Sequence, residues 1–274
     1  PPLPPFYASL LFPHLLSPRL VAQGRTGAAR DVLSTVAAGN GTSLPPAVIL
    51  SAPEPSDGGD AVGTKVLFQH RVLRPRVIAM GITWYVSSLV YYGLSLNAGA
   101  LGGSLYVNNA LNAAVELPSY WLAAHLLRRG RRFTFVSTSA LATACCLLSA
   151  AVVHLGETCP QSGAACSLSG TLTAVNLVVS MVGKFGIAAA FGVLYVWGAE
   201  LFPTSVRSGG LGLASVAARV GGITAPMFLE LSALDTAVPM VVFGVLGAGA
   251  TAVAMRAPET LNVPPGRTVG DLES

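Results

Sequence analysis

Charge is scarce in this chain: Lys, Arg, Asp and Glu together make up 10% of 274 residues. A soluble globule normally carries charge on about 25–35% of its surface, so a soluble bundle of buried helices is excluded. Histidine is sparse and dispersed; His14, His70, His125 and His154 lack metal-ligand spacing, and no metal site is expected. Nothing favours an enzyme either. No His, Cys or Asp shares a helix face with a Ser in the order nucleophilic chemistry needs, and Glu116 alone makes no acid/base pair. The glycines around Gly209 lack the Lys-Ser/Thr ending and preceding strand of a phosphate loop. The net charge of +4 is carried by residues without interleaved aromatics, which speaks against nucleic acid as a partner.

What the chain has instead is six long apolar runs: 77–96, 101–127, 133–155, 172–199, 208–229 and 236–255. Each has at least 20 residues, enough at about 1.5 Å per residue to cross about 30 Å of hydrocarbon. In lipid the backbone must satisfy itself, so the runs are expected to be helices. Of the 16 Lys and Arg, 14 fall on one side of this layout, Lys184 and Arg219 fall inside runs, and none falls on the other side. That asymmetry puts the segment before residue 77, the loop with Arg128, Arg129, Arg131 and Arg132, and Arg207, Arg256 and Arg267 in the cytoplasm.

Four divisions follow: 1–16, the end of a transmembrane helix; 17–76, a cytoplasmic amphipathic helix and flexible linker; 77–256, the six-helix transmembrane half-domain; and 257–274, a cytoplasmic tail. The apolar stretch 6–16 is too short to span alone and has no basic region before it, so it does not read as a signal peptide. Ala28, Val32, Leu33 and Val36 repeat at helical spacing beside Arg25, Arg30 and Asp31. Residues 39–60 are rich in Pro, Gly and Ser and read as linker. The sequon Asn40-Gly41-Thr42 falls on the cytoplasmic side and is read as fortuitous. Cys145 and Cys146 sit in an apolar run as packing residues; Cys159 and Cys166 share an outer loop, where Pro160 and Gly163 would let a disulfide close.

Polar residues inside the runs are few and periodic. Asn108, Asn112, Glu116 and Tyr120 recur every four residues along the second run, which places them on one helix face. Asn176, Ser180 and Lys184, continued by Phe191 and Tyr195, do the same in the fourth, as do Trp84, Ser88 and Tyr92 in the first, with Tyr91 adjacent. Such faces are expected to meet protein or water and to line a cavity. Arg219 is flanked only by Val, Ala and Gly in mid-run. It needs an anionic partner, either a substrate carboxylate or an internal one such as Glu116. Lys184 could neutralise an anion, pair with Glu116, or snorkel. Gly209, Gly210, Gly212, Gly221 and Gly222 permit close helix approach.

The segments SPRLVAQGRTGAARDVLSTVAAGNG (17–41), WYVSSLVYYGLSLN (84–97), VELPSYW (115–121), GRR (130–132), GKFGIAAAFGVLYVWGAELFPTSVRSGGLG (183–212), ARVGGITAP (218–226) and PETLNVPPGRTVGDLE (258–273) resemble, in order, the organic cation, anion and carnitine transporters. These form the solute carrier 22 family of the major facilitator superfamily. The resemblance implies an all-α membrane protein in which the chain supplies the end of helix six, the central cytoplasmic loop and helices seven to twelve. It implies transport of a small organic ion by alternating access, with no bound cofactor, in a multi-pass protein of the plasma membrane. The matching position of Arg219 tends to be acidic in the cation transporters and Arg in the anion and carnitine branches. An organic anion or zwitterion is therefore the expected substrate, held by Arg219, Lys184, Glu116 and the aromatic residues Trp84, Tyr91, Tyr92, Tyr120, Phe191 and Tyr195.

Partners implied are the lipid bilayer and an N-terminal transporter half or another transporter chain. The alternative is a non-transporting member that acts by associating with other transporters. Arg128, Arg131, Arg132, Glu200 and Arg207 correspond to cytoplasmic gating charges, with Glu200 and Arg207 as partners for Arg128 or Arg131. Departures from the family pattern are Leu127 and Leu16, where acidic residues are usual, Leu20 for Trp, and Tyr120 in place of a basic residue. They imply a weaker cytoplasmic latch and a less positive site.

Overall fold

The computed structural model describes residues 26–39, 41–43, 64–100, 104–158, 167–203 and 206–263. The chain divides into two units, Pro1–Ala61 and Val62–Ser274. In the first, α1 (Thr26–Gly39) is the expected amphipathic helix. Ala28, Val32, Leu33 and Val36 are half-buried on one side while Arg30, Asp31, Ser34 and Thr35 are exposed. The helix end expected over 1–16, most of the linker, Asn40 of the sequon, and Cys159 and Cys166 lie outside the described residues.

The second unit is helical: α2 (Thr64–Gln69), α3 (Leu73–Asn97), α4 (Leu105–Leu126), α5 (Arg131–Gly156), α6 (Gly170–Leu201), α7 (Arg207–Leu229) and α8 (Val238–Met255). Short 3-10 turns extend α3, α4 and α7, and two-residue strands, Glu157–Thr158 and Ser167–Leu168, pair antiparallel after α5. This is an all-α membrane fold. Among the described residues, five helices are long and apolar enough to cross a bilayer, namely α3, α5, α6, α7 with its 3-10 extension, and α8. The expected second span forms α4, whose 22 residues reach about 33 Å. It is long enough, but Asn108, Asn112 and Glu116 interrupt its apolar run.

Packing explains where those polar groups go. α3 and α6 form the centre, with α5 and α8 packed beside them, α4 against α6 and α7 against α3. Trp84, Leu89, Phe135, Leu194, Trp197 and Phe243 fill the core between them, and the Phe135 and Trp197 rings lie 5.8 Å apart. Cys145 and Cys146 are buried free thiols of α5, as expected for packing residues. The outside stays apolar: Leu155, Ile223 and Tyr106 are 84%, 71% and 86% exposed. A soluble chain would hide such a surface; hydrocarbon accepts it without cost.

Candidate functional site

Lys184, on α6, is 1% exposed, and every direction from its ammonium is accounted for. Nζ lies 3.0 Å from Glu116 Oε1 on α4, donates to Ser95 Oγ on α3 at 2.6 Å, and sits 3.1 Å from the centroid of the Tyr91 ring. Tyr91 in turn donates its hydroxyl to Glu116 Oε1, and Ser95 Oγ donates to Tyr91 O. Three helices thus meet on one ion pair. The residues come together because Tyr91 and Ser95 are one turn apart on α3, and because Lys184 and Glu116 each sit at the end of a polar stripe directed inward. Ser119 Oγ donates to Glu116 O one turn back, and Pro118, which has no N–H, leaves the carbonyl of Ala114 without its helical donor.

Of the two internal partners considered for Glu116, the structure selects Lys184. The expected alternative, Arg219 paired with Glu116, is overturned, since that carboxylate already carries the Lys184 ammonium and the Tyr91 hydroxyl. Arg219 instead lies on the exposed face of α7 with Val216, Val220 and Ile223. It has no ion-pair or hydrogen-bond partner among the described residues. Tyr92 links the two regions, its ring 3.0 Å from the point where a side chain on Gly222, one turn from Arg219, would begin.

Above the ion pair is an aromatic wall. Phe191 stacks on Tyr91 at 5.9 Å and meets Tyr195 edge-on at 5.7 Å; Tyr92 stands edge-on to Tyr91 at 5.3 Å. Tyr120 packs over Gly192, 3.1 Å from its missing Cβ. Tyr92, Tyr120 and Tyr195 are about half exposed, so the wall has an open side. Trp84 does not: it is 1% exposed and backs Tyr195 and Phe191 at 4.6 and 5.9 Å. Ser88 is buried as well. The outer part of the α6 stripe also departs from the cavity-lining expectation: Asn176 is buried against α5, where its Oδ1 accepts from Ser149 Oγ at 2.6 Å. Asn108 and Asn112 donate to Ala98 O and Ser95 O. These amides tie helices together rather than face a ligand.

At the end of the helices where α5 begins and α6 ends, Arg131 pairs with Glu200: Nη2 lies 2.8 Å from Oε1, and Nε also reaches the carboxylate. Arg132 reaches the carbonyls of Met255 and Ala257. Arg128 is exposed. Arg207, expected as a partner for Arg128 or Arg131, donates instead to Phe202 O; like charge gives it no reason to approach either arginine.

Sequence reasoning missed Ser95, Thr260 and Glu259. Thr260 Oγ1 donates to Glu200 Oε2 at 2.6 Å. Glu259 accepts from the backbone N–H of Arg131 at 2.8 Å and of Arg132 at 3.1 Å, capping α5 from the tail. Gly130, at φ +142°, brings α5 close enough that a Cβ there would lie 2.5 Å from Glu259 Oε2. The signal for Glu259 was its position as an isolated acid just past the last span, facing an Arg-rich loop.

Burial would raise the Glu259 carboxyl, but the N–H groups of Arg131, Thr260, Arg132 and Leu261 outweigh it and hold the group below the usual carboxylate range. The capping contribution is therefore full above the ordinary Glu value of about 4.3 and fades as pH falls through the lower folded value. Glu259→Ala is expected to cost about 0.5–2 kcal/mol, the range for a lost helix cap. Denaturant titration from pH 7 to pH 3 should show the difference between variant and wild type shrinking as the carboxylate protonates; a constant difference would assign Glu259 no charged role.

Residues 4–264 match the family model "Sugar (and other) transporter". The chain is 37% identical over 273 residues to "Solute carrier family 22 member 15-like" of Xenopus tropicalis, covering 98% of this chain and 53% of that protein. It is 34% identical to "Organic cation/carnitine transporter 2" of Mus musculus, over 90% of this chain and 42% of that one. Against "Solute carrier family 22 member 13" of Homo sapiens it is 31% identical, over 93% and 43%. The chain spans about half the length of the curated relatives it matches. Together with the helical membrane fold, these matches show that the chain belongs to the sugar (and other) transporter family of the major facilitator superfamily, as a solute carrier 22 member.

Proposed function

We propose that the protein moves small organic ions across the plasma membrane by alternating access, and that an organic anion or zwitterion is its substrate. The reading applies to this chain together with the remainder of the length its relatives have, since a midplane site between two halves needs both. One observation carries the choice of substrate charge. Lys184 and Glu116 neutralise each other, so the charge left over in mid-span, away from the helix ends, is the guanidinium of Arg219, exposed on α7 and without a protein partner among the described residues. A guanidinium in a membrane helix calls for a carboxylate or similar group. The half-exposed rings of Tyr92, Tyr120 and Tyr195 offer apolar contact for the organic body. Lys184 and Glu116 act as the fixed charge pair that holds this wall in place, and Trp84 supports it from behind.

The test is uptake of a panel of labelled anions, zwitterions and cations into cells expressing the chain with a family N-terminal half, with surface biotinylation as control. A charge-assisted hydrogen bond is worth about 1.5–3 kcal/mol. Arg219→Ala should therefore lower anion or zwitterion uptake about 10- to 150-fold at equal surface level, and Arg219→Lys should restore part of it. Anion uptake unchanged in Arg219→Ala would remove the substrate assignment. Absence of uptake in every format despite surface delivery would favour a non-transporting partner of other transporters.

A further inference from the structure

We propose that a cavity at the cytoplasmic end of α3 and α8 is a binding site for an anionic phospholipid of the inner leaflet. Its phosphate would rest on Arg76, Arg132 and Arg256, and one acyl chain would run along Ile78, Ile82 and Val253. The cavity has a volume of about 660 Å³ and is lined by these six residues among others, a size suited to a headgroup and the start of a chain.

Charge is the first support. Three guanidiniums from three different segments face one cavity. None of them is in an ion pair with an acidic side chain among the described residues. The acid closest in sequence to Arg256, Glu259, directs its carboxylate at the backbone amides of Arg131, Arg132, Thr260 and Leu261 and forms no ion pair with any of the three guanidiniums. Arg132 is pinned by the carbonyls of Met255 and Ala257, which fixes its position and leaves its charge uncompensated. Like charges held together without a counter-ion call for an anion from outside the fold.

Position is the second. The asymmetric Lys and Arg distribution places this end of the helices in the cytoplasm, where the leaflet is rich in anionic lipid and basic pockets between spans take phosphate headgroups. Shape is the third. Ile78 and Ile82 lie one turn apart on α3, 45% and 41% exposed, and lead from Arg76 towards the bilayer centre. A soluble anion would use the arginines and ignore this wall; a lipid uses both.

Native mass spectrometry of the full chain in detergent, titrated with phosphatidylinositol 4,5-bisphosphate, phosphatidylserine or phosphatidylcholine, tests the site. Anionic lipids should be retained at least about tenfold more tightly than phosphatidylcholine, a difference of about 1.4 kcal/mol. The triple variant Arg76→Gln/Arg132→Gln/Arg256→Gln should lose that preference, whereas Arg71→Gln/Arg74→Gln/Arg129→Gln, equal in charge and outside the cavity lining, should keep it. Arg256→Gln alone, at an exposed helix end, guards against misfolding and should lower the preference at least twofold. Equal loss in both triple variants would reduce the site to general surface charge. Competition by free inositol trisphosphate as strong as by the lipid would overturn the acyl-chain part. A preference that emerges only in Asp271→Asn/Glu273→Gln would show that the chain's own carboxylates occupy the cavity, and would also overturn the proposal.

Discussion

Glu116→Gln lowers the stability of the helical unit by about 3–5 kcal/mol, the cost of stranding one member of a buried ion pair, and adding Lys184→Met recovers most of that loss. The asymmetry of the pair makes the order of effects specific. Lys184 has 2% of its side chain exposed, Glu116 24%. With Gln at 116, the ammonium keeps the amide oxygen, Ser95 Oγ and the Tyr91 ring, none of which carries a formal charge. Lys184→Met is milder, because Glu116 retains the Tyr91 hydroxyl and is less deeply buried than the ammonium. The double variant buries neither charge, and apolar replacements of buried pairs are often neutral. Reversible unfolding of the four proteins in mixed micelles gives the cycle; a coupling below about 0.5 kcal/mol would show that the ion pair does not hold α3, α4 and α6 together.

This cycle also separates structure from transport. If Lys184 and Glu116 only brace the wall, the double variant should keep substrate selectivity while Arg219→Ala changes it. If Lys184 contacts substrate directly, selectivity shifts in the double variant at full stability.

The helices were legible because lipid leaves the backbone no other partner: each expected run corresponds to a helix, and ends differ by a few residues where Leu73 starts α3 ahead of Val77 or Arg131 starts α5 ahead of Phe133. The inward direction of the Asn108–Asn112–Glu116 stripe followed from its spacing of four. What that stripe would touch did not follow, because spacing within one helix says nothing of the neighbour. Lys184 and Arg219 looked alike as lone cations in apolar runs. Only the packing of α4 on α6, and of α7 on α3, assigns Glu116 to the first and leaves the second open. Ser95 and Glu259 were missed for the same reason. A serine in a span and a glutamate past one carry no periodic signal, and they gain meaning from Lys184 and from the α5 N-terminus across the fold.

Gly221→Ala is the second large effect expected, at about 1–3 kcal/mol of destabilisation from overpacking, with Gly212→Ala in the same helix as its contrast. A Cβ at Gly221 would lie against the carbonyl oxygen of Tyr85, closer than real side chains come, and 3.2 Å from Leu89 N, both backbone atoms of α3. Neither can turn aside as a flexible side-chain tip could, so α7 must move away. The Tyr85–Thr224 hydrogen bond, 3.2 Å across the same contact, would lengthen with it, and the Tyr92 ring would lose its seat on Gly222. Gly212 has open space where a Cβ would stand. Alanine there gains helix propensity, about 0.8–1.0 kcal/mol in water, and meets no neighbour. Unfolding of both variants alongside wild type should therefore give shifts of opposite sign from the same chemical change, nine positions apart on one helix. Equal shifts would mean that α7 tolerates displacement from α3. The position of Arg219, set by this packing, would then be adjustable, and a fixed guanidinium could not be the basis of substrate choice.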